Sequence, residues 1–329
     1  MPFLLQRSFA SEPDSGQLYY TLEGSVMSAP RRAFMFLVIA QLLWAGNFIV
    51  GRAFAADIAP LTLSFWRWTV AFVCLLPFAG PALIREWPLY RPVIWKMILL
   101  ALLSVTSFNT LLYFGLQTTG ATNAALLNSM IPVIIITLSF LCYGERIRLI
   151  QILGITVSFC GVLVLITRGD FENLLGLTLN SGDFLVLGAV VSWAFYSLWL
   201  RWKPEGVSLF SFVLLSIGIG DSVLGLIYFS GVFEAAPLEL TLNNILAVFY
   251  ASVPVSILAF TCWNIGVRQV GASLAGQFIH LLPVFASVMA IVLLGETPEF
   301  YHGAGAILIG LGVWFSVRKK RRAIEVEPV

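Results

Sequence analysis

GATNAALLNSMIPVIIITLSFLCYGE at residues 120–145 and GASLAGQFIHLLPVFASVMAIVLLGE at residues 271–296 are the two stretches whose reading decides the fold. Each opens on Gly-Ala, places a proline twelve residues on (Pro132, Pro283) and closes on Gly-Glu (Gly144-Glu145, Gly295-Glu296), in register at an offset of 151. Working outward, Gly154 and Gly161 recur as Gly305 and Gly312 at the same offset. Upstream, Trp44-Ala45 with Arg52 recurs as Trp193-Ala194 with Arg201 at an offset of 149. A fixed internal period sets architecture before any local motif does. Here it divides the chain into two copies of one unit.

Both copies are too apolar for water. Of 329 residues 59% are hydrophobic and 11% charged, with a mean hydropathy of +0.92, whereas soluble domains are about a quarter charged. A spanning helix takes roughly 20 apolar residues. Apolar runs bounded by Gly, Pro and charge predict spans near 34–54, 61–79, 96–116, 121–142, 149–167, 183–201, 207–230, 244–266, 272–294 and 301–317. The runs lack the alternating polarity of barrel strands, and backbone amides in lipid must be paired internally, so the spans are helices. Five spans per copy is an odd number, which makes the second copy enter the membrane from the other side. The expected fold is an all-α polytopic membrane protein, with ten transmembrane helices as two inverted five-helix repeats.

The boundaries follow: a disordered N-terminal tail at 1–33, a first repeat at 34–167, a second at 183–318 and a basic tail at 319–329. Residues 1–30 are mixed and polar, unlike a cleaved signal, and Met27 before Arg31-Arg32 is an alternative start. Positive charge sets orientation. Arg7, Arg31, Arg32, Arg85, Arg91, Lys96, Arg146, Arg148, Arg201, Lys203, Arg268 and the run Arg318–Arg322 fall on the N-terminal side, while the opposite loops hold Arg168 alone. That places both termini in the cytoplasm of an inner membrane. The closing basic run reads as a topology anchor on anionic lipid rather than a nucleic-acid site. Cys74, Cys142, Cys160 and Cys262 stand singly in apolar runs, so neither a disulfide framework nor a metal site is expected, and no cofactor.

Inverted repeats are the architecture of alternating-access carriers, which take a small-molecule substrate at the repeat interface. The order Trp44-Ala45-Gly46-Asn47-Phe48, Pro60-Leu61-Thr62-Leu63 leading to Arg67, Gly120 to Leu127 with Pro132, then Gly144-Glu145-Arg146, resembles the EamA-type family of the drug/metabolite transporter superfamily. The second copy, Gly271-Ala272-Ser273 through Pro283 to Gly295-Glu296-Thr297, resembles the same module again. The resemblance implies a ten-helix carrier in which spans 1–4 and 6–9 surround a central cavity and spans 5 and 10 stand outside it. Members of that family export amino acids and other metabolites, or move drugs and nucleotide-linked compounds.

Polar groups inside lipid are costly and need a partner or a wet cavity. On span 9, Ser273, Gln277 and His280 follow i, i+4, i+7 and share a helical face, either as a cavity wall or as a polar seam between helices. His280, with an ordinary pKa near 6.5, is a candidate for a coupling proton, and Asp221 in span 7 is a second. Span 3 presents Thr106, Asn109, Thr110, Tyr113 and Gln117 as an inward stripe. Span 1 adds Gln41, Trp44 and Asn47 and span 6 adds Trp193 and Tyr196, as cavity lining or packing, with Trp44 and Trp193 at matching repeat positions. Arg67 and Arg52 each either capture a carboxylate or phosphate or snorkel to the interface and pair with Asp57. The glycines at 154, 161, 305 and 312 allow close packing, within the chain or in a homodimer. An intramembrane enzyme needs a nucleophile constellation, paired aspartates or a metal cluster, and a sensor needs a soluble output module; the sequence offers none of these.

Overall fold

The computed structural model describes residues 29–54, 58–170, 172, 180–233 and 235–318. The tail readings, the start at Met27, Asp57, the run 319–322 and the side chain of Arg52 lie outside the described residues. Within them the chain is helical with no strand, and eight helical runs are long and apolar enough to cross a membrane. Many large apolar side chains, such as Phe78, Leu149 and Phe300, stand exposed on the outside of the bundle. A bilayer, not water, suits such a surface.

Helix α1 covers Ala29–Phe54 and α2 covers Pro60–Tyr90. Proline at the first position of α2 costs nothing, because that N–H has no intrahelical acceptor. The expected second span ended at 79, but α2 continues through Pro77, Pro81 and Pro88. Tertiary contacts hold the extra turns: Glu86 accepts from the backbone N–H of Ser208 at 2.9 Å and from the Ser211 hydroxyl, and the Tyr90 and Ser211 hydroxyls lie 2.7 Å apart. After a 3₁₀ turn at Arg91–Val93 come α3 (Ile94–Ala101), a π-helical stretch at Leu102–Ser107 and α4 (Phe108–Gly115). Straight, the 56 residues from Pro60 to Gly115 would extend about 84 Å. Arg67 instead reaches Asn109 at 3.2 Å, so the run doubles back.

The expected fourth and ninth spans are each interrupted. Helix α5 (Ala121–Asn128) gives way to α6 (Ile131–Tyr143), and α12 (Ala272–Gly276) passes through a 3₁₀ turn at Gln277–His280 into α13 (Leu281–Leu294). The breaks precede Pro132 and Pro283, whose rings oppose the carbonyls one turn back. Gly144 and Gly295 then end α6 and α13 with φ of +61° and +70°, the left-handed stop that glycine accepts without strain. Between and beyond them lie α7 (Leu149–Ile166), α8 (Ser181–Trp199), α9 (Leu209–Phe229), α10 (Leu242–Tyr250), a second π stretch (Ala251–Ala259), α11 (Phe260–Val270) and α14 (Phe300–Val317).

The two π stretches sit at matching repeat positions, since 102–107 maps onto 253–258 at the offset of 151. Wide turns leave carbonyls for side chains to satisfy. The Asn109 amide donates to Ser104 O at 3.2 Å and Val105 O at 3.3 Å, and the Ser256 hydroxyl donates to Ala251 O at 2.8 Å. Helices α7 and α14 pack closely along their length. A methyl built on Gly154 would lie 2.6 Å from Gly312 O, and one on Gly161 would lie 2.8 Å from Gly305 O. Residue numbers rise along one helix as they fall along the other, so α7 and α14 are antiparallel.

Candidate functional site

A cavity of about 660 Å³ lies among helices drawn from both copies. Its lining brings together seven of the residues singled out from sequence: Trp44, Asn47, Arg67, Asn109, Tyr113, Trp193 and His280. Gln41 joins them, together with Trp68, Ser104, Phe108, Asn128, Ser129 and Phe260. The exposed members Leu116, Ala125 and Glu296 stand at one end of the cavity. The other end is closed by rings. Trp44 meets Trp193 edge-on at 5.4 Å and Trp263 at 5.6 Å, and Tyr196 stacks on Phe260 at 5.5 Å.

Arg67 is the polar centre of the wall. It is 5% exposed, so it does not snorkel. Its Nε donates to Ser256 Oγ at 3.0 Å, and its Nη1 donates to Asn109 Oδ1 at 3.2 Å and to Tyr113 Oη at 2.8 Å. The guanidinium carbon lies 5.0 Å from the Trp68 ring centroid. The π turns supply two of these acceptors, because Asn109 and Ser256 are the same residues that cap the widened carbonyls. All three acceptors are neutral, and no carboxylate stands within ion-pair distance of Arg67 among the described residues.

His280 is fully enclosed, with Nε2 3.0 Å from Ser129 O and Nδ1 2.6 Å from Ser158 Oγ. A carbonyl only accepts, so Nε2 carries a proton. Ser158 Oγ lies within hydrogen-bond distance of both Nδ1 and Ile155 O. A neutral ring takes the serine proton at Nδ1. A doubly protonated ring donates there, and the hydroxyl turns to Ile155.

Four candidates lie elsewhere. Tyr196 is buried behind the cavity and donates to Asn264 Oδ1 at 2.6 Å. Ser273 donates to Ser139 Oγ at 3.0 Å between α12 and α6, a polar seam. Gln277 is buried with both amide atoms unpartnered among the described residues. The expected common face of Ser273, Gln277 and His280 assumed an unbroken α-helix. The 3₁₀ turn at Gln277–His280 rotates each residue further, about 120° instead of 100°. Asp221 accepts from Thr69 Oγ1 at 2.9 Å, between α9 and α2, and among the described residues it touches neither an arginine nor the cavity. Span 7 is therefore absent from the lining, whereas Val162 and Ile166 of span 5 are present, the reverse of what the resemblance implied for those two spans. The span 7 glycines let α9 press behind α2 and the first π stretch, at Phe72 and Val105.

Sequence reasoning missed Trp68, Phe108, Ser129 and Ser256. Trp68 follows Arg67 directly, but the serines are ordinary inside apolar helices and carry no signal of their own.

Similar proteins share most of the length. An uncharacterized transporter, YyaM of Bacillus subtilis (strain 168), is 27% identical over 85% of this chain and 92% of its own. A protein of Streptantibioticus cattleyicolor named a probable terminal-alkyne amino-acid exporter is 26% identical over 88% of this chain and 94% of its own. One solved crystal structure matches with a TM-score of 0.71 at 20% identity, covering 87% of this chain and 96% of its own, a likeness of fold. Multi-pass helices and transporter relatives make this a membrane protein of transport. The EamA-like transporter family matches residues 31–167 and again 180–318, and the chain belongs to that family.

Proposed function

We propose that the protein is a secondary transporter that exports small metabolites such as amino acids, by alternating access through the cavity between two inverted repeats. The observation that carries this reading is the cavity itself: about 660 Å³, walled by residues of both sequence copies and holding a buried, unneutralised arginine. A pocket of that size suits a metabolite. The name of the Streptantibioticus relative supports the amino-acid class.

The ten-helix count follows when the folded run Pro60–Gly115 is taken as two arms and α1, 26 residues long, is added to the eight candidate spans. Inversion is supported by α7 and α14. They are repeat-equivalent yet antiparallel, and the contact of Gly154 with Gly312 exchanges with that of Gly161 with Gly305 when the copies are swapped. A two-fold axis perpendicular to the helices has that effect, and such an axis lies in the membrane plane. With the basic loops cytoplasmic, the end of the cavity at Leu116 and Glu296 faces outward.

The coupling proton belongs to His280 in preference to Asp221, because His280 lines the cavity and its serine relay accommodates both protonation states. Phe159 and the two serines surround it, and no charged group lies against it among the described residues. Counterflow in proteoliposomes against a panel of amino acids, with and without a pH gradient, tests the reading. Exchange of at least one member is expected, with the gradient dependence lost in His280→Gln. No counterflow of any member defeats the amino-acid proposal.

A further inference from the structure

We propose that the cavity recognises its substrate by a carboxylate seated on the free edge of Arg67, and that it has no receptor for a substrate ammonium. The class it takes is an organic monocarboxylate with an apolar, aromatic-compatible body. This rests on the transport reading and sharpens it: what the site reads in an amino acid is the acid, not the amine.

The guanidinium has five N–H groups. Ser256, Asn109 and Tyr113 occupy three, and Nη2 makes no hydrogen bond among the described residues. A cation at 5% exposure, held among the described residues only by neutral acceptors, has no counter-charge there to make burial tolerable. The two N–H groups of Nη2 remain to donate charge-assisted hydrogen bonds to a carboxylate. Among the described residues Arg67 is the sole Arg or Lys in the lining, which favours a monoanion over a phosphate dianion. For an ammonium the lining has one acid, Glu296, which is exposed at the mouth and already has a partner. The remaining wall is largely apolar, with the rings of Trp68, Phe108, Trp193 and Phe260 set among aliphatic side chains. Trp68 Nε1 and the Gln41 amide are buried in the wall without a partner among the described residues.

The probes are 3-phenylpropionate, phenylalanine and phenethylamine, followed by tryptophan fluorescence of the purified protein and by flux in liposomes. Phenylpropionate is expected to bind at least as tightly as phenylalanine, and phenethylamine at least about tenfold more weakly. Arg67→Gln lowers phenylpropionate affinity by about 10- to 100-fold, the scale of a charged hydrogen bond. Should that variant not fold, Arg67→Lys, which keeps the charge and loses the positioned Nη2 donors, is expected to lose about tenfold. Phenethylamine binding as tightly as phenylpropionate overturns the proposal, as does unchanged affinity in a folded Arg67 variant. Binding of the acids without flux overturns the transport reading instead and leaves the carboxylate site standing.

The repeat register carries a second inference independently. Tyr196 and Asn264, hydrogen-bonded at 2.6 Å and both buried behind the cavity, map at offsets of 149 and 151 onto Asn47 and Tyr113. The same two residue types recur in reversed order, and both line the cavity, where Tyr113 is bonded to Arg67. We infer that these are two ends of one gate: Tyr196 with Asn264 closes one end here, and Asn47 with Tyr113 closes the other when the cavity turns over. Because the copies carry the pair in opposite polarity, Asn47→Tyr or Tyr113→Asn alone is expected to lower flux about tenfold, and the double exchange to restore most of it. A double variant no better than the singles overturns the gate, as does failure of cysteines at 47 and 113 to cross-link under substrate in a background without native cysteines.

Discussion

Lys203 shows at a single residue how burial acts at the membrane margin. It is 5% exposed, just beyond the 3₁₀ turn at Leu200–Trp202, and its Nζ donates to Val207 O at 2.5 Å. Burial pushes its pKa down to about 8 from an ordinary 10.5, with the Arg268 charge adding and the Glu86 charge opposing. Between those two values the unfolded chain holds more protons than the folded one, so this residue makes stability rise with pH across that window. Lys203→Met is expected to raise the melting temperature near pH 7 and to remove its share of the rise toward pH 10.5. A wild-type-minus-variant difference that does not change with pH rules this out. His280 gives a second case. Its ring satisfies the Ser129 carbonyl and the Ser158 hydroxyl, so His280→Ala strands both and is expected to cost about 1–3 kcal/mol in a denaturation series. The sequence made Arg67 and His280 visible because charge and imidazole are rare in lipid. It could not say that Arg67 rests on Ser256, because which serine meets it depends on helix rotation and on a widened turn.

At the scale of the element, glycine decides how closely helices approach. Replacing Gly161 by Leu drives a side chain into the Gly305 backbone and is expected to cost about 1–3 kcal/mol. Gly310, on α14 with nothing within 4 Å of the place a Cβ would occupy, takes the same change with little effect. Thermal unfolding in detergent compares the two. The pattern of glycines and prolines was legible, and so were the helix stops at Gly144 and Gly295. The interruptions at Pro132 and Pro283 followed from the same letters, but uninterrupted hydropathy concealed them, and the lost register removed Ser273 and Gln277 from the cavity. The π stretches were not legible: Leu-Leu-Ser-Val-Thr-Ser has no composition that separates a wide turn from an α turn. The extension of α2 to Tyr90 was hidden for a different reason. It depends on Glu86 meeting Ser208 and Ser211, residues about 120 positions away.

For the whole molecule, topology is the property with the sharpest test. Glu145 and Glu296 are repeat-equivalent, the first partly and the second fully exposed, and under inversion they face opposite sides of the membrane. In a background without native cysteines, a cysteine at 296 is expected to react with an impermeant maleimide added to intact cells, and one at 145 only after lysis. Labelling of both from outside refutes the inverted arrangement.

The two π stretches also say something about ancestry. A π turn is what one extra residue inserted into an α-helix produces, and such turns persist where they serve a site. Both copies hold one at the same register, beneath the residues that seat Arg67. That shared register is what duplication of a unit already carrying the widened turn would leave.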